Sequence, residues 1–149
     1  MINLGIIIDV DSSTTQDNLL ADAVLSDVDA HGHAMEIPIQ EVVSELIDRL
    51  GAPLVAVIGG VGETRAVLQW TKSRTPQRPN VLRFALQLAT MIARMSDYEK
   101  ARAWFEGSNP LLDDAVPALI LRDRPLADVQ SNLMAAARSF ALRADSNAP

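Results

Sequence analysis

The fold turns on twelve residues, "LVAVIGGVGETR", Leu54 to Arg65. Read as strand, Gly-rich turn and helix start, they would open a nucleotide site, where glycines let the backbone approach a pyrophosphate at a helix N-terminus. That pattern is incomplete. Gly60-Val61-Gly62 is followed by Glu63-Thr64-Arg65, no Gly-Lys-Ser/Thr occurs, and an anion would meet Glu63. After Lys72 come the loop "SRTPQRPN" and a long apolar segment, with no partner strand to complete a βαβ unit. Read as helix, turn, helix, each residue has a task. Leu54 to Ile58 is a short positioning helix, with Ala56 small where two helices cross. Gly60 permits the tight turn and Val61 plugs the core. Glu63 to Lys72 then buries Val67 and Trp70 and exposes Glu63, Thr64, Arg65, Gln69 and Lys72. An exposed helix of this kind fits a major groove, with side chains that reach base edges and cations near the phosphates.

Outward from this stretch the helical period continues. Ile39, Val42, Val43, Leu46, Ile47 and Leu50 fall on one face, and Gly51 and Pro53 supply a stop and a new start. Val81 to Met95 is apolar almost all round, apart from a narrow stripe of Arg83, Gln87, Thr90 and Arg94, which predicts a central, largely buried helix. Asp97 to Glu106 reads as a further helix ended by Gly107. Pro117 and Pro125 open two more, the last with Leu126, Val129, Leu133, Ala137 and Phe140 inward. Residues 1–37 are the least readable: an apolar run Leu4 to Val10, a short helix from Asp17 to Leu25, and a loop around His31-Gly32-His33. Asp145 to Pro149 read as a frayed tail.

Composition agrees with a helical reading. Hydrophobic residues make up 48% and aromatics only 4%, so the core is aliphatic. There is no cysteine, hence no disulfide or thiolate chemistry, which suits a cytoplasmic protein. Met1 is followed by no basic leader, and no apolar run approaches the about 20 residues a membrane helix needs. The net charge of −6 is unevenly spread. Residues 1–40 hold seven acids and no Lys or Arg, whereas Arg49, Arg65, Lys72, Arg74, Arg78 and Arg83 face only Glu63 across their stretch. Such a local basic bias is what phosphate contact requires, and it is equally compatible with a solvated surface.

Chemistry has few places to live. "GIIIDVDSST" could place Asp9 and Asp11 beside a magnesium ion, with Asp113-Asp114 as a distant second pair, but no alternating strand-helix order brings them together. Leu4 to Val10 could instead pair with its copy as an edge strand in a dimer. Asp29, His31 and His33 offer a weak metal set. No cofactor, metal or catalytic residue is expected.

A second stretch, Ala101 to Leu121, "ARAWFEGSNPLLDDAVPALIL", adds a resemblance. With the helix-turn-helix before it and an amphipathic helix after it, it resembles the Xre/MbcA/ParS-like antitoxins and their actinobacterial-type relatives. The family pattern of Ala, Trp with Leu or Phe, Asn, Leu and Pro falls on Ala101, Trp104, Phe105, Asn109, Leu112 and Pro117. The likeness spans roughly residues 40–143. It implies an all-helical homodimer whose amino-terminal half binds operator DNA and whose carboxy-terminal domain binds and blocks a cognate toxin, often a RES-domain enzyme. Gln69 stands where the family often has Arg. From the residues themselves, Trp104 and Phe105 point about 100° apart on a helix, so at least one is expected in the core while the other lies nearer its rim. Asn109-Pro110 turns the chain, and Asp113 or Asp114 is expected to accept backbone hydrogen bonds ahead of the next helix.

The sequence thus predicts an all-α protein: an acidic segment 1–37, a helix-turn-helix-like domain 38–80 and a helical domain 81–145. The expected function is a non-enzymatic antitoxin or DNA-binding regulator. Thr64, Arg65, Gln69, Lys72 and Arg74 are the expected DNA contacts. The alternatives are an interaction module without DNA binding and an α/β nucleotide-binding or phosphohydrolase-like protein.

Overall fold

In the computed structural model the described residues are 28–146. The run Leu4 to Val10 with Asp9 and Asp11, and the helix Asp17 to Leu25, lie outside them.

Helix α1 covers residues 28–36, followed by α2 (Ile39–Leu50), α3 (Ala52–Gly59), α4 (Thr64–Trp70), α5 (Pro79–Met95), α6 (Tyr98–Glu106), a 3-10 turn (Pro110–Leu112), α7 (Pro117–Asp123) and α8 (Leu126–Ser146). The described residues hold helices and turns, with one isolated bridge between Asn109 and Ala115. The protein is all-α, and the strand reading of Leu54 to Ile58 is overturned. That run is helical because Gly51 (φ 90°) and Gly60 (φ 78°) bracket it with left-handed φ values, and Pro53 sits in its first turn. No described helix is long and apolar enough to cross a membrane.

The predicted inner faces are inward. Val42, Val43, Leu46 and Leu50 of α2, and Val129, Leu133 and Ala137 of α8, are buried. At the centre lies α5, packed against α2, α3, α6 and α8. Residues of both predicted halves join one continuous core, and α7 packs directly on α3. Residues 38–80 and 81–145 therefore share a hydrophobic interior.

The polar stripe of α5 has a partner in residues 28–36, where the sequence predicts a loop around His31-Gly32-His33. Residues 28–36 form a helix, because its carbonyls and side chains find matches along that stripe. The Arg83 guanidinium donates to the Ala34 and Ile37 carbonyls at 2.8 and 2.7 Å, satisfying the open end of α1. His31 Nδ1 lies 3.3 Å from Gln87 Oε1, and Arg94 lies 3.6 Å from Asp29. Buried Ala30 and Ala34 allow close approach. His33 turns to a different element, donating to Glu45 of α2 at 2.6 Å. Asp29, His31 and His33 thus serve three separate partners, and the described residues contain no group of three metal-ligating side chains.

The aromatic pair also departs from expectation. Both Trp104 and Phe105 are buried, edge to face with centroids 5.1 Å apart. Helix α6 packs against α2, α5 and α7 on the side of Ala101, Trp104 and Phe105, while Glu99, Lys100, Arg102, Ala103 and Glu106 face out, so both rings fall within the covered face.

Candidate nucleic-acid interface and a second apolar surface

The turn between α3 and α4 is tight and glycine-closed. The Gly60 N–H donates to the Val57 carbonyl at 3.1 Å and the Val61 N–H to the Ala56 carbonyl at 3.0 Å, closing α3 with a left-handed residue. Ala56 is buried at the crossing and Val61 packs against the core. The fit is tightest at Gly59, where a Cβ would sit 2.7 Å from Trp70 Cη2. The bare glycine lets the indole lie against α3, and Val67 and Trp70 then anchor α4 from within.

The outer face of α4 carries Thr64, Arg65 and Leu68, all exposed. Leu68 keeps 50% of its surface open and occupies the place expected for Gln69, which is half-buried. Its position follows from the helix period, since 64, 65 and 68 share a face that 69 only borders. The Gln69 carbonyl instead accepts from the N–H groups of Lys72, Ser73 and Arg74, each at 3.1 Å. That winding sets exposed Lys72 and Arg74 directly after the helix.

The six cations of the basic stretch separate into two groups. Arg49 pairs with Glu45 at 3.0 Å and lies 4.6 Å above the Tyr98 ring. Arg78 donates to the Arg122 and Arg124 carbonyls at 2.9 and 3.3 Å, closing the end of α7, and Arg83 closes α1. Those three are architectural. Arg65, Lys72 and Arg74 make no ion pair or side-chain hydrogen bond among the described residues. Of the five residues expected at this face, Thr64, Arg65, Lys72 and Arg74 are exposed on α4 or directly after it, as is Leu68, and Gln69 is half-buried. An outward leucine at a core-like spacing was legible only by placing 64, 65 and 68 on one wheel.

A second surface lies at the corner between α6 and α7. Buried Asn109 organises it: its side chain accepts from the Leu111 N–H at 2.9 Å, its carbonyl accepts from Leu112 and Asp114, and its N–H donates to the Ala115 carbonyl at 3.0 Å. The capping acceptor is therefore Asn109 and not the aspartates. Asp113 and Asp114 are both left-handed, with φ of 56° and 63°, a conformation aspartate tolerates better than most residues. In the 3-10 turn just before them Leu111 is 56% exposed. Leu119 on α7 is 39% exposed, and the two leucines stand on either side of Ile120 and Arg124, each beside a shallow depression. Nearby, the Arg122 guanidinium donates to Asp123 at 2.6 Å; this hydrogen bond holds the Asp123 carboxyl below its usual range. Of the family-pattern residues, Ala101, Trp104, Phe105, Asn109 and Pro117 are buried and Leu112 half-buried, so they build the corner while its neighbours face out.

The chain matches no family model, no curated protein and no solved structure.

Proposed function

We infer that the protein is a non-enzymatic regulator of the toxin–antitoxin type. In this reading α3 and α4 bind operator DNA, and the corner bearing Leu111 and Leu119 binds and blocks a cognate toxin, for which the family resemblance suggests a RES-domain enzyme. The observation that carries the reading is the face of α4: a short helix anchored from within by Val67 and Trp70, presenting Thr64, Arg65 and Leu68, and followed by exposed Lys72 and Arg74, which have no ion pair among the described residues. Arg65 is suited to guanine, Leu68 to a thymine methyl, and the two later cations to phosphates. Because such helices read half-sites in pairs, the operator-binding species is a homodimer.

The second surface supports the toxin half. Two exposed leucines on rigid supports, with charged groups at their edge, have the composition of a small protein-binding patch. The doubled aspartate that suggested a metal pair acts instead as a left-handed turn just after Leu111.

One observation favours an interaction module without DNA binding. Leu68 is apolar at the centre of the α4 face, and Glu63 stands exposed at its start. Selection from a pool of random duplexes separates the two readings: the regulator enriches a motif, and the module enriches none. For the second surface, the full chain is used to capture partners from its own host. Leu111→Asp with Leu119→Asp should abolish capture of a stoichiometric enzyme while leaving the thermal midpoint nearly unchanged. Retention of the enzyme by that variant moves the toxin site elsewhere.

A further inference from the structure

The basic character of the α4 side does not stop at Arg74. Pro76 is buried and Pro79 opens α5, so the loop after α4 runs back onto the body of the protein and delivers Arg78 to the end of α7. There the Arg78 guanidinium donates to the Arg122 and Arg124 carbonyls at 2.9 and 3.3 Å. An arginine carries five N–H donors, so further ones remain for another acceptor. The same contact covers the carbonyl end of α7, which left open would repel an anion. Arg122 and Arg124 are both exposed beside it.

The nearby carboxylates do not cancel this charge. Asp123 accepts two hydrogen bonds from Arg122, at 2.6 and 3.0 Å. Its carboxyl is held low by the Arg122 hydrogen bond, against desolvation, and by the charges of Arg122, Arg124 and Arg78, so one carboxylate answers to three guanidinium groups. Arg124 has no ion pair or side-chain hydrogen bond of its own among the described residues. Asp128, exposed in the first turn of α8, is the other acid between residues 117 and 130. Beside Arg78 a shallow groove runs between the starts of α5 and α8; Gln77, Asn80 and Gln130 supply its amides, and none of its lining residues is acidic.

We propose that Arg78, Arg122 and Arg124 form a second phosphate-binding patch, which takes the sugar-phosphate backbone bordering the major groove that α4 enters. The inference rests on the operator reading and extends it from one helix face to a surface shared by α4, the loop after it and the end of α7. The spacing fits. Arg78 follows Arg74 by four residues, a reach of at most about 14 Å, close to the major-groove width of about 12 Å. A patch at that distance meets the strand at the edge of the groove while α4 meets base edges. Because Arg78 is fixed to two carbonyls, the patch is set by packing, which lowers the cost of ordering it on binding. Contacts of this kind add affinity and register without reading bases.

The test uses the full-length protein and the duplex it enriches from a random pool. Arg124→Gln should lower the salt slope by about 1, weaken all duplexes alike and leave the enriched motif unchanged. Asp123→Asn releases the Arg122 guanidinium and should do the reverse, steepening the slope and tightening binding. Both side chains are exposed, so the thermal midpoint should stay nearly unchanged. Location is read by replacing single phosphates of the duplex with uncharged methylphosphonates. Certain replacements should weaken the native protein several-fold yet have little further effect on Arg124→Gln, and these should differ from the phosphates coupled in the same way to Lys72→Gln. Duplex binding whose slope neither variant changes overturns the proposal and leaves α4 as the operator surface. So does a changed slope with no phosphate coupled to Arg124, the signature of net charge alone. A native chain that binds no duplex removes the operator reading, and the patch with it.

Discussion

At Gly59 and Gly60 two adjacent glycines are needed for unrelated reasons, and substitutions separate them. At Gly59 an alanine Cβ meets the Trp70 ring at 2.7 and 2.8 Å, and a buried indole gives way only with α4. Gly59→Ala should therefore cost about 1–3 kcal/mol, as overpacking does, and loosen α4. At Gly60 there is open space, but φ of 78° is left-handed, so Gly60→Ala should cost about 1–2 kcal/mol through backbone strain alone. Gly62, with neither constraint, should tolerate alanine; urea unfolding of the three variants checks the order. Asp123 provides a charge test at the same scale. Its hydrogen bond from Arg122 lowers its pKa, opposed by desolvation and reinforced by the Arg122, Arg124 and Arg78 charges. The associated stability is present above the unfolded aspartate value and is lost as pH falls through the lower folded value. Because the pair is exposed, Arg122→Ala should return the Asp123 NMR titration toward that of a free aspartate with little change in global stability.

Among the elements, α1 depends most on a single side chain from elsewhere. Arg83 closes its carbonyl end, while the helix buries only two alanines. Arg83→Met should remove charged hydrogen bonds of about 2 kcal/mol and leave the aliphatic stem packed. Amide exchange in residues 28–36 should then rise while α5 stays protected; unchanged protection would show that α1 holds without Arg83. The same element shows where reading the sequence failed and why. Helices α2, α5 and α8 were legible because apolar residues repeat with the helical period and the ends carry Gly or Pro. Residues 28–36 lack that stripe, with His31, Gly32 and His33 in the middle, and become helical through contacts with residues 45 to 94, which no local pattern encodes. For the same reason the basic stretch looked uniform: that Arg49, Arg78 and Arg83 are structural and Arg65, Lys72 and Arg74 are not depends on carbonyls and carboxylates brought in from other elements. Leu68 and Leu111 were visible as letters, but their exposure depends on which neighbours fail to cover them.

Over the whole molecule, two candidate surfaces share one scaffold. Helix α3 supports α4 on one side and packs on α7 on another, and Arg78 ties the loop after α4 to the end of α7. The α4 face and the leucine corner are thereby held by one core, which suits the proposed pairing of two binding functions on one frame better than two independently moving modules. The central claim is that the face of α4 binds duplex DNA through its exposed cations. Its most direct test is the affinity of the full-length protein for a selected duplex, measured against salt for the native chain and for Arg65→Gln and Lys72→Gln. The account predicts binding that weakens steeply with salt, with each substitution lowering the salt slope by about 1. Arg65→Gln should in addition relax sequence preference, whereas Lys72→Gln should weaken all duplexes alike. Affinity that is absent in the native chain, or unchanged in slope and strength by both substitutions, would contradict it.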